Sequence, residues 1–398
     1  IPIYFSEFNN ISYVDSLFES VSGITTTGAT VLAGLDEMPR SLLFYRQLIQ
    51  WLGGMGIIVL AVAVLPLLGV GGMQLYKAEI PGPLKDAKLK PRITETAKTL
   101  WLIYLTITVL CALFYRFFGM STYDAICHAF STVSIGGFST HDESFGFFEQ
   151  TSIRLTCMVF MVIAGINFAL HYISWHKKRL LHYFYDSEVK AYLGLLFGLF
   201  IITSLTLYAY FPTESYAWSI KEGAFQVISI TTTTGFLTSN YANWPLFVPI
   251  LLLTASFIGA CAGSTGGGIK VVRSLVLFKH GGSEITKLIH PNAVVSIKLG
   301  KRAVDSRVVE SIWGFLSIYV LVFIIILLLM LSQGNDFLTS FSAVGATLNN
   351  MGPGLGEVAQ NYSSLTDLSK IGLCLAMILG RLEIFTLLVI LTPSFWRN

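Results

Sequence analysis

Phe18-Glu-Ser-Val-Ser-Gly-Ile-Thr-Thr-Thr-Gly28, Ala129-Phe-Ser-Thr-Val-Ser-Ile-Gly136-Gly-Phe138, Phe225-Gln-Val-Ile-Ser-Ile-Thr-Thr-Thr-Thr-Gly235-Phe236 and Phe341-Ser-Ala-Val-Gly-Ala-Thr-Leu-Asn-Asn-Met-Gly352 are four variations on one pattern. Aligned on Gly28, Gly136, Gly235 and Gly352, the copies recur at 108, 99 and 117 residues. Self-similarity of this kind reports a repeated supersecondary unit, so the fold is read by repeats.

Around these stretches the chain is apolar. Of its 398 residues 54% are hydrophobic and only 12% charged, with a mean hydropathy of +0.67. A soluble domain carries about a quarter charged residues, so a cytosolic enzyme is excluded. Segments near 41–68, 99–118, 151–175, 191–211, 245–262, 309–331 and 371–393 each approach the roughly 20 apolar residues of a spanning helix. The five cysteines stand apart with no metal-ligand spacing and read as buried thiols. A net charge of +3 gives no reason to expect nucleic acid as a partner.

The basic residues are sorted. Stretches 77–98, 176–190 and 270–307 hold 18 of the 26, while 119–153 and 332–369 hold none. By the positive-inside rule the three basic stretches are cytoplasmic and the repeated stretches face the other side. Asp15, Asp124, Glu222 and Asp336 lie 12 to 16 residues before the four glycines, room for a short helix with an acid at its positive end. Each unit thus reads as a span, a short re-entrant helix, an extended Thr/Gly strand and a second span. The expected fold is an all-α polytopic membrane protein of four pseudo-fourfold helix–pore-loop–helix repeats around a central ion pore. The repeats fall at 1–75, lacking its first span, 76–180, 181–285, with an interrupted second span, and 286–398.

Non-helical backbone at membrane depth survives only buried in protein or lining a watery cavity. Four such segments around one axis can aim carbonyl oxygens at a dehydrated cation. Two features sit below them. Five of the ten residues Gly259–Gly268 are glycine, too many for a continuous helix, so the third repeat's second span is broken there. Arg381 lies inside the last apolar segment, where an arginine faces a cavity or a partner; Glu383 is on another helix face. Asn167 and His171, one turn apart, fit either a pore lining or a helix contact. The run Gly263–Lys270 fails as a phosphate loop because Ile269 separates glycine from lysine. His141-Asp142-Glu143 reads as solvated loop rather than a metal site.

The motifs Thr25-Thr-Thr-Gly28-Ala-Thr, Ser134-Ile-Gly136-Gly-Phe-Ser-Thr, Thr231-Thr-Thr-Thr-Gly235-Phe, Thr347-Leu-Asn-Asn-Met-Gly352-Pro-Gly-Leu-Gly, Cys261-Ala-Gly-Ser-Thr-Gly-Gly-Gly268 and Gly380-Arg-Leu-Glu-Ile-Phe-Thr together resemble the Trk/Ktr/HKT superfamily of potassium transporters, and within it the bacterial Trk membrane subunits. The resemblance spans essentially the whole chain; the family's N-terminal helices have no counterpart here, in line with the missing first span. It implies potassium-selective uptake through a backbone-carbonyl filter running from Ile24 to Gly28, Thr132 to Gly136, Thr231 to Gly235 and Leu348 to Gly352. Dehydrated ions are expected at the deeper ends, on Ile24, Thr25, Thr132, Val133, Thr231, Thr232, Leu348 and Asn349. Gly28, where sodium-selective relatives carry serine, implies potassium; Asn349 and Asn350 depart from the Thr/Ser of the other strands. The resemblance also implies a gate made of the loop around Gly263, Gly266, Gly267 and Gly268, with Arg381 projecting into the pore beneath the filter. Potassium at the filter is the only expected metal, with no organic cofactor and no enzymatic activity. Implied partners are a second copy in a homodimer, the lipid bilayer and a cytoplasmic, TrkA-like nucleotide-binding regulatory subunit. The implied location is the bacterial inner membrane, with the re-entrant loops facing the periplasm. The rival readings are a proton- or sodium-coupled symporter, which would want an intramembrane acid relay, and a membrane enzyme, whose constellation is not apparent.

Overall fold

The computed structural model describes residues 2–5, 11–59, 93–178, 181–293, 295–300 and 302–382. The end of the expected 41–68 span, nearly all of the first basic stretch, and Glu383 lie outside the described residues.

The described residues are mostly helical, with one hairpin of two-residue strands among them. Helix α1 (Pro2–Phe5) precedes the first short helix, α2 (Tyr13–Ile24), and α3 (Arg40–Val59) follows it. The second unit runs α4 (Ile93–Phe117), short α5 (Thr122–Val133), α6 (Thr151–Ala164) and α7 (Phe168–His176). The third runs α8 (Leu181–Tyr185), α9 (Ser187–Tyr210), short α10 (Tyr216–Thr231), α11 (Phe247–Ile258) and α12 (Val271–Ile289). The hairpin of β1 (Lys298–Leu299) and β2 (Arg302–Ala303) leads to α13 (Ser306–Ser332), short α14 (Phe337–Leu348) and α15 (Asp367–Arg381). Among the described residues Ala97–Phe117, α9 and α13 are long and apolar enough to cross a membrane. The expected 151–175 span is two helices instead, bent by 93°. The break falls at Gly165-Ile166-Asn167, where Asn167 caps α7 by accepting the Ala169 N–H at 2.8 Å.

Three of the four short helices carry an acid at their positive end, as expected, though not in one role. Ser12, Ser121 and Ser215 are the caps of α2, α5 and α10, and of the four acids only Asp336 caps a helix, that of α14. Asp15 and Asp124 lie three residues in; each donates its N–H to the cap serine oxygen, at 3.0 and 3.1 Å, and accepts the serine hydroxyl at 2.8 and 2.7 Å. Glu222 is seven residues into α10, buried, and paired with Arg154 at 3.0 Å. A fully buried pair, Glu19 with Arg46 at 2.7 Å, ties α2 to α3, whereas Arg154 stays partly exposed. Glu19 also accepts the Thr30 hydroxyl and the Val31 N–H. A buried pair is costly to halve, about 3–5 kcal/mol, because the remaining charge has nowhere to go. Both pairs therefore fix the chain leaving each turn against the helix behind it.

Packing closes the four units into a ring. One core cluster joins Phe18 and Leu42 of the first unit to Phe315, Leu348 and Met377 of the fourth. A second carries Phe225 and Phe236 of the third unit into the core of the second, and another takes Ile166 of the second and Met351 of the fourth into the third. Trp51 of α3 stacks on Tyr104 of α4 and Phe130 of α5, at 5.6 and 5.2 Å between centroids. All five cysteines are buried and free.

The loops beyond the short helices are joined as well, so 141–143 is more than a solvated segment. His141 bonds Asp36 of the first unit through Nδ1 at 2.5 Å and faces Asp124 through Nε2 at 3.5 Å. It stacks on Phe147 at 3.5 Å, lies parallel to the His128 ring at 6.4 Å, and the Asp142 N–H also bonds Asp36. Partial burial works against the imidazolium, but the two carboxylates outweigh it and raise the His141 pKa above 6.5. Asp36 is lowered: burial opposes its charge, and His141 with the Asp142 N–H overcomes that. A raised histidine stabilises the folded state fully below its unfolded pKa of about 6.5 and loses that contribution as pH climbs through the folded value. The melting temperature of the purified protein is expected to fall more steeply with pH above about 6.5 in wild type than in His141→Gln. Parallel slopes in a thermal-shift series would show that the imidazolium does not hold the loops together.

Candidate functional site

The four short helices end identically. After the last helical residues Ile24, Val133, Thr231 and Leu348, the residues Thr25, Ser134, Thr232 and Asn349 stay right-handed. The next, Thr26, Ile135, Thr233 and Asn350, turn left-handed, with φ of 53°, 55°, 69° and 53°. Each left-handed residue and its successor return two N–H groups to the helix: Thr26 to Gly23 and Thr27 to Ser22, then Ile135 to Thr132 and Gly136 to Ser131, Thr233 to Ile230 and Thr234 to Ser229, Asn350 to Thr347 and Met351 to Ala346, all at 2.8–3.1 Å. That pair of bonds is the Schellman closure, which usually has glycine or asparagine at the left-handed position. Three of the four are β-branched, an outlier costing about 1–3 kcal/mol each and sustained only where surroundings impose it.

Two residues later come glycines with φ of 81°, 77°, 81° and 93°: Gly28, Gly137, Gly235 and Gly352. The second is Gly137 and not Gly136, which occupies the place of Thr27, Thr234 and Met351. Contacts around the ring give the same register. A Cβ on Gly28 would overlap the Gly136 carbonyl oxygen, one on Gly137 that of Thr234, one on Gly235 that of Met351, and one on Gly352 that of Thr27. Each unit's glycine is thus the floor for the next unit's carbonyl, and the series closes on itself. A cavity of about 540 Å³ opens above, lined by Gly28, Gly137, Gly235 and Gly352 with Thr30, Ser139 and Asn240. The alignment of the second unit shifts by one throughout: the counterparts of Ile24 and Thr25 are Val133 and Ser134, not Thr132 and Val133. Thr132 is helical, and its hydroxyl bonds the His128 carbonyl at 2.6 Å.

The carbonyl oxygens of these turns differ in what they bond. Among the described residues, those of Thr26, Ile135, Thr233 and Asn350 accept no hydrogen bond, a complete set of four. One level deeper the oxygens of Thr25, Ser134 and Thr232 are likewise unengaged, while that of Asn349 takes the Gly268 N–H at 3.1 Å. All eight residues are buried. Buried carbonyls are nearly always paired, so two stacked levels without partners call for a cation or water to occupy them. The four helices also bring their negative dipole ends to this point. The asparagines of the fourth turn are structural. Asn349 bonds Tyr319 at 2.5 Å and Ser256 at 2.9 Å; Asn350 bonds Thr27 Oγ1 and the Met377 carbonyl, both at 2.9 Å.

The glycine-rich run lies directly below. Residues 259–270 form a loop between α11 and α12, so the expected break is present. Its Gly267 N–H bonds Thr233 Oγ1 at 2.7 Å, and the Thr265 hydroxyl bonds the Val133 carbonyl at 3.0 Å. A Cβ on Gly267 would overlap the Asn349 oxygen, and Gly266 faces the Thr232 oxygen. Gly263 lies against the Asn167 side chain and its carbonyl accepts the Phe168 N–H at 2.9 Å; Gly268 backs onto α11 at Ser256. Arg381 ends α15, is buried, and donates from Nη1 to the Thr265 carbonyl at 2.8 Å, while its Nε and Nη2 have no hydrogen-bond partner among the described residues. Gly263, Gly266, Gly267, Gly268 and Arg381 are thus brought together under the turns. His171 is not part of the site: it bonds Tyr183 at 2.8 Å and the Ile163 carbonyl at 3.0 Å.

Sequence reasoning missed two residues. Gln50 of α3 donates to the Gly136 carbonyl at 2.6 Å and accepts the Phe138 N–H at 3.2 Å, holding the second turn from the first unit. Glu188 accepts the Ala262 N–H at 2.7 Å in the glycine-rich loop. A glutamine inside an apolar span is the only signal either left; Glu188, at a helix start, looks like an ordinary first-turn acid.

The chain matches the TrkH model, a cation transport protein family, over residues 2–397. It is 54% identical to the Trk system potassium uptake protein TrkH of Escherichia coli (strain K12) over 398 residues, covering 100% of this chain and 82% of that protein. The Trk system potassium uptake protein TrkH of Halomonas elongata is 51% identical over 398 residues, with the same coverage of 100% and 82%. The crystal structure of the potassium transporter TrkH from Vibrio parahaemolyticus superposes with a TM-score of 0.89 at 50% identity, covering 98% of this chain and 80% of that one. The chain belongs to the TrkH family of cation transport proteins.

Proposed function

We propose that the chain carries potassium inward across the bacterial inner membrane, with the four turns facing the periplasm as its selectivity filter. The observation that carries this reading is the stacked set of buried, unengaged carbonyls at Thr25, Ser134 and Thr232 and at Thr26, Ile135, Thr233 and Asn350. A potassium ion shedding water needs oxygens at fixed positions, and backbone held by Schellman bonds and by glycine-to-carbonyl contacts supplies them without rearranging. Dehydrated ions bind on the corrected inner set, Ile24, Thr25, Val133, Ser134, Thr231, Thr232, Leu348 and Asn349, and on the level just outside it. Gly28 suits this role because a serine Cβ there would displace the Gly136 carbonyl.

The loop with Gly263, Gly266, Gly267 and Gly268 blocks the path below the filter, and Arg381 fastens it while placing a cation's charge in the way of cations. Regulation comes from a cytoplasmic, TrkA-like nucleotide-binding subunit docking on the basic face of a homodimer. The repeats are bounded as the glycine spacing places them, at 1–75, 76–180, 181–285 and 286–398.

Bi-ionic flux in liposomes tests the filter: potassium is expected to permeate far better than sodium, and equal permeation would end the selective reading. Running the same vesicles with and without a proton gradient separates uptake by conduction from proton-coupled symport. Alanine at Gly137 meets backbone and a positive φ, whereas alanine at Gly136 meets only the Gln50 carboxamide. Gly137→Ala is expected to lower potassium flux at least about tenfold, a barrier change of about 1.4 kcal/mol, and Gly136→Ala much less. The reverse order would restore Gly136 as the filter glycine. Arg381→Ala is expected to raise flux; unchanged or reduced flux in the same assay would count against its barrier role.

A further inference from the structure

We propose that Glu188 is the latch of this gate, a positioning residue whose carboxylate staples the two ends of the glycine-rich loop to the cytoplasmic start of α9. The inference rests on the gate reading above. Glu188 stands in the first turn of α9, behind the cap Asp186, which accepts the N–H groups of Glu188 and Val189 at 2.8 and 3.0 Å. Its carboxylate accepts the Ala262 N–H at 2.7 Å near the loop's start and lies beside the backbone of Val272 in the first turn of α12, just past the loop's end. One side chain therefore bridges the whole of 259–270. The group is half-buried, and the Lys270 cation lies close to it while donating to the Gly266 carbonyl.

The remaining anchors of the loop come from the transmembrane interior. Cys261 N–H bonds the Gly165 carbonyl at 3.0 Å and Phe168 N–H bonds the Gly263 carbonyl at 2.9 Å, both at the α6–α7 break. Thr265, Gly267 and Gly268 are bonded to the turns above, and Thr265 also to Arg381. Glu188 alone among these anchors sits on a helix that emerges from the basic 176–190 stretch, with Lys177 and Lys178 exposed. A displacement of that stretch moves the start of α9, and Glu188 carries the displacement to both ends of the loop at once. Arg381 and Glu188 are then complementary fastenings: a cation holds the loop's middle by a carbonyl, and an anion holds its start by an N–H group and lies against its end.

Backbone N–H groups left buried without an acceptor are expensive, so removing the carboxylate weakens the closed loop. Rubidium influx into vesicles holding the purified full chain alone, with no regulatory subunit, reads the result. Glu188→Ala is expected to raise basal influx several-fold with the potassium-to-sodium ratio unchanged, because the turns themselves are not touched. Glu188→Gln keeps one acceptor oxygen in the same place and is expected to fall between wild type and Glu188→Ala. It also decides the matter should the alanine variant fail to insert. Wild-type influx in both variants, or in Glu188→Gln alone where the alanine protein is lost, overturns the latch. Arg381→Ala serves as the reference: if it raises influx and the Glu188 variants do not, the gate stands and the latch falls. If none of them does, the gate reading itself has failed.

Discussion

Everything in this structure follows from four helices being made to stop at the same place. A helix that ends inside a membrane leaves carbonyls with nowhere to bond. Here each end spends two of them on the Schellman pair and leaves the next oxygens bare. Stopping requires a left-handed residue, and Thr26, Ile135 and Thr233 adopt that conformation against their own preference. The strain is held because the turns cannot relax independently. Each glycine is pressed against the next unit's carbonyl, so release of one turn would need release of all four. On the proposed filter reading, selection among cations is a property of closure: the oxygens hold their spacing because the ring has no free end.

The ring is fourfold in backbone and unequal in side chains. The second turn has its Gly136 oxygen bonded by Gln50, and the oxygen of Val133 below is bonded by Thr265. In the fourth turn Asn349 and Asn350 reach Tyr319, Ser256, Thr27 and Met377, bonds that the threonines of the first and third turns replace with a hydroxyl pair at 2.7 and 2.8 Å. Asparagine also tolerates the left-handed conformation better than threonine. The departure that first looked like a defect in the coordination is a different way of bracing the same backbone.

Much of this was legible in the chain because the turns are written in Thr, Ser and Gly, residue types rare enough in apolar surroundings to stand out four times. Arg381 and the glycine run were visible for the same reason. What escaped notice has physical causes. Gly136-Gly137 offers two glycines, and a residue type does not disclose which of them has positive φ, so the second unit was set one residue early. Glu222 was expected at a helix start because carboxylates favour that end, yet it went inside to meet Arg154, while Asp15 and Asp124 do sit in first turns, behind cap serines that take their N–H groups. The break at Gly165–Asn167 hides in an apolar run because its cost is met by backbone bonds to the loop of another repeat, which no local pattern records.

The same physics lets the loop proposed as the gate sit in a membrane at all. A loop of twelve residues at depth must have its polar backbone satisfied from outside itself. The partners it finds are also broken elements: the α6–α7 corner, the stopped helices, and the last residue of α15. Irregular backbone in one repeat is therefore paid for by irregular backbone in its neighbours, and none of these breaks is stable without the others. A loop held by many single bonds of about 1 kcal/mol each is closed firmly as a whole but can be opened by losing a few. The charged fastenings, Arg381 at the middle and Glu188 at the ends, are the bonds whose loss weighs most. On the proposed gate, a conducting state requires no unfolding of the ring: the oxygens proposed to select the ion stay where the Schellman turns put them, while the loop beneath exchanges one set of partners for another.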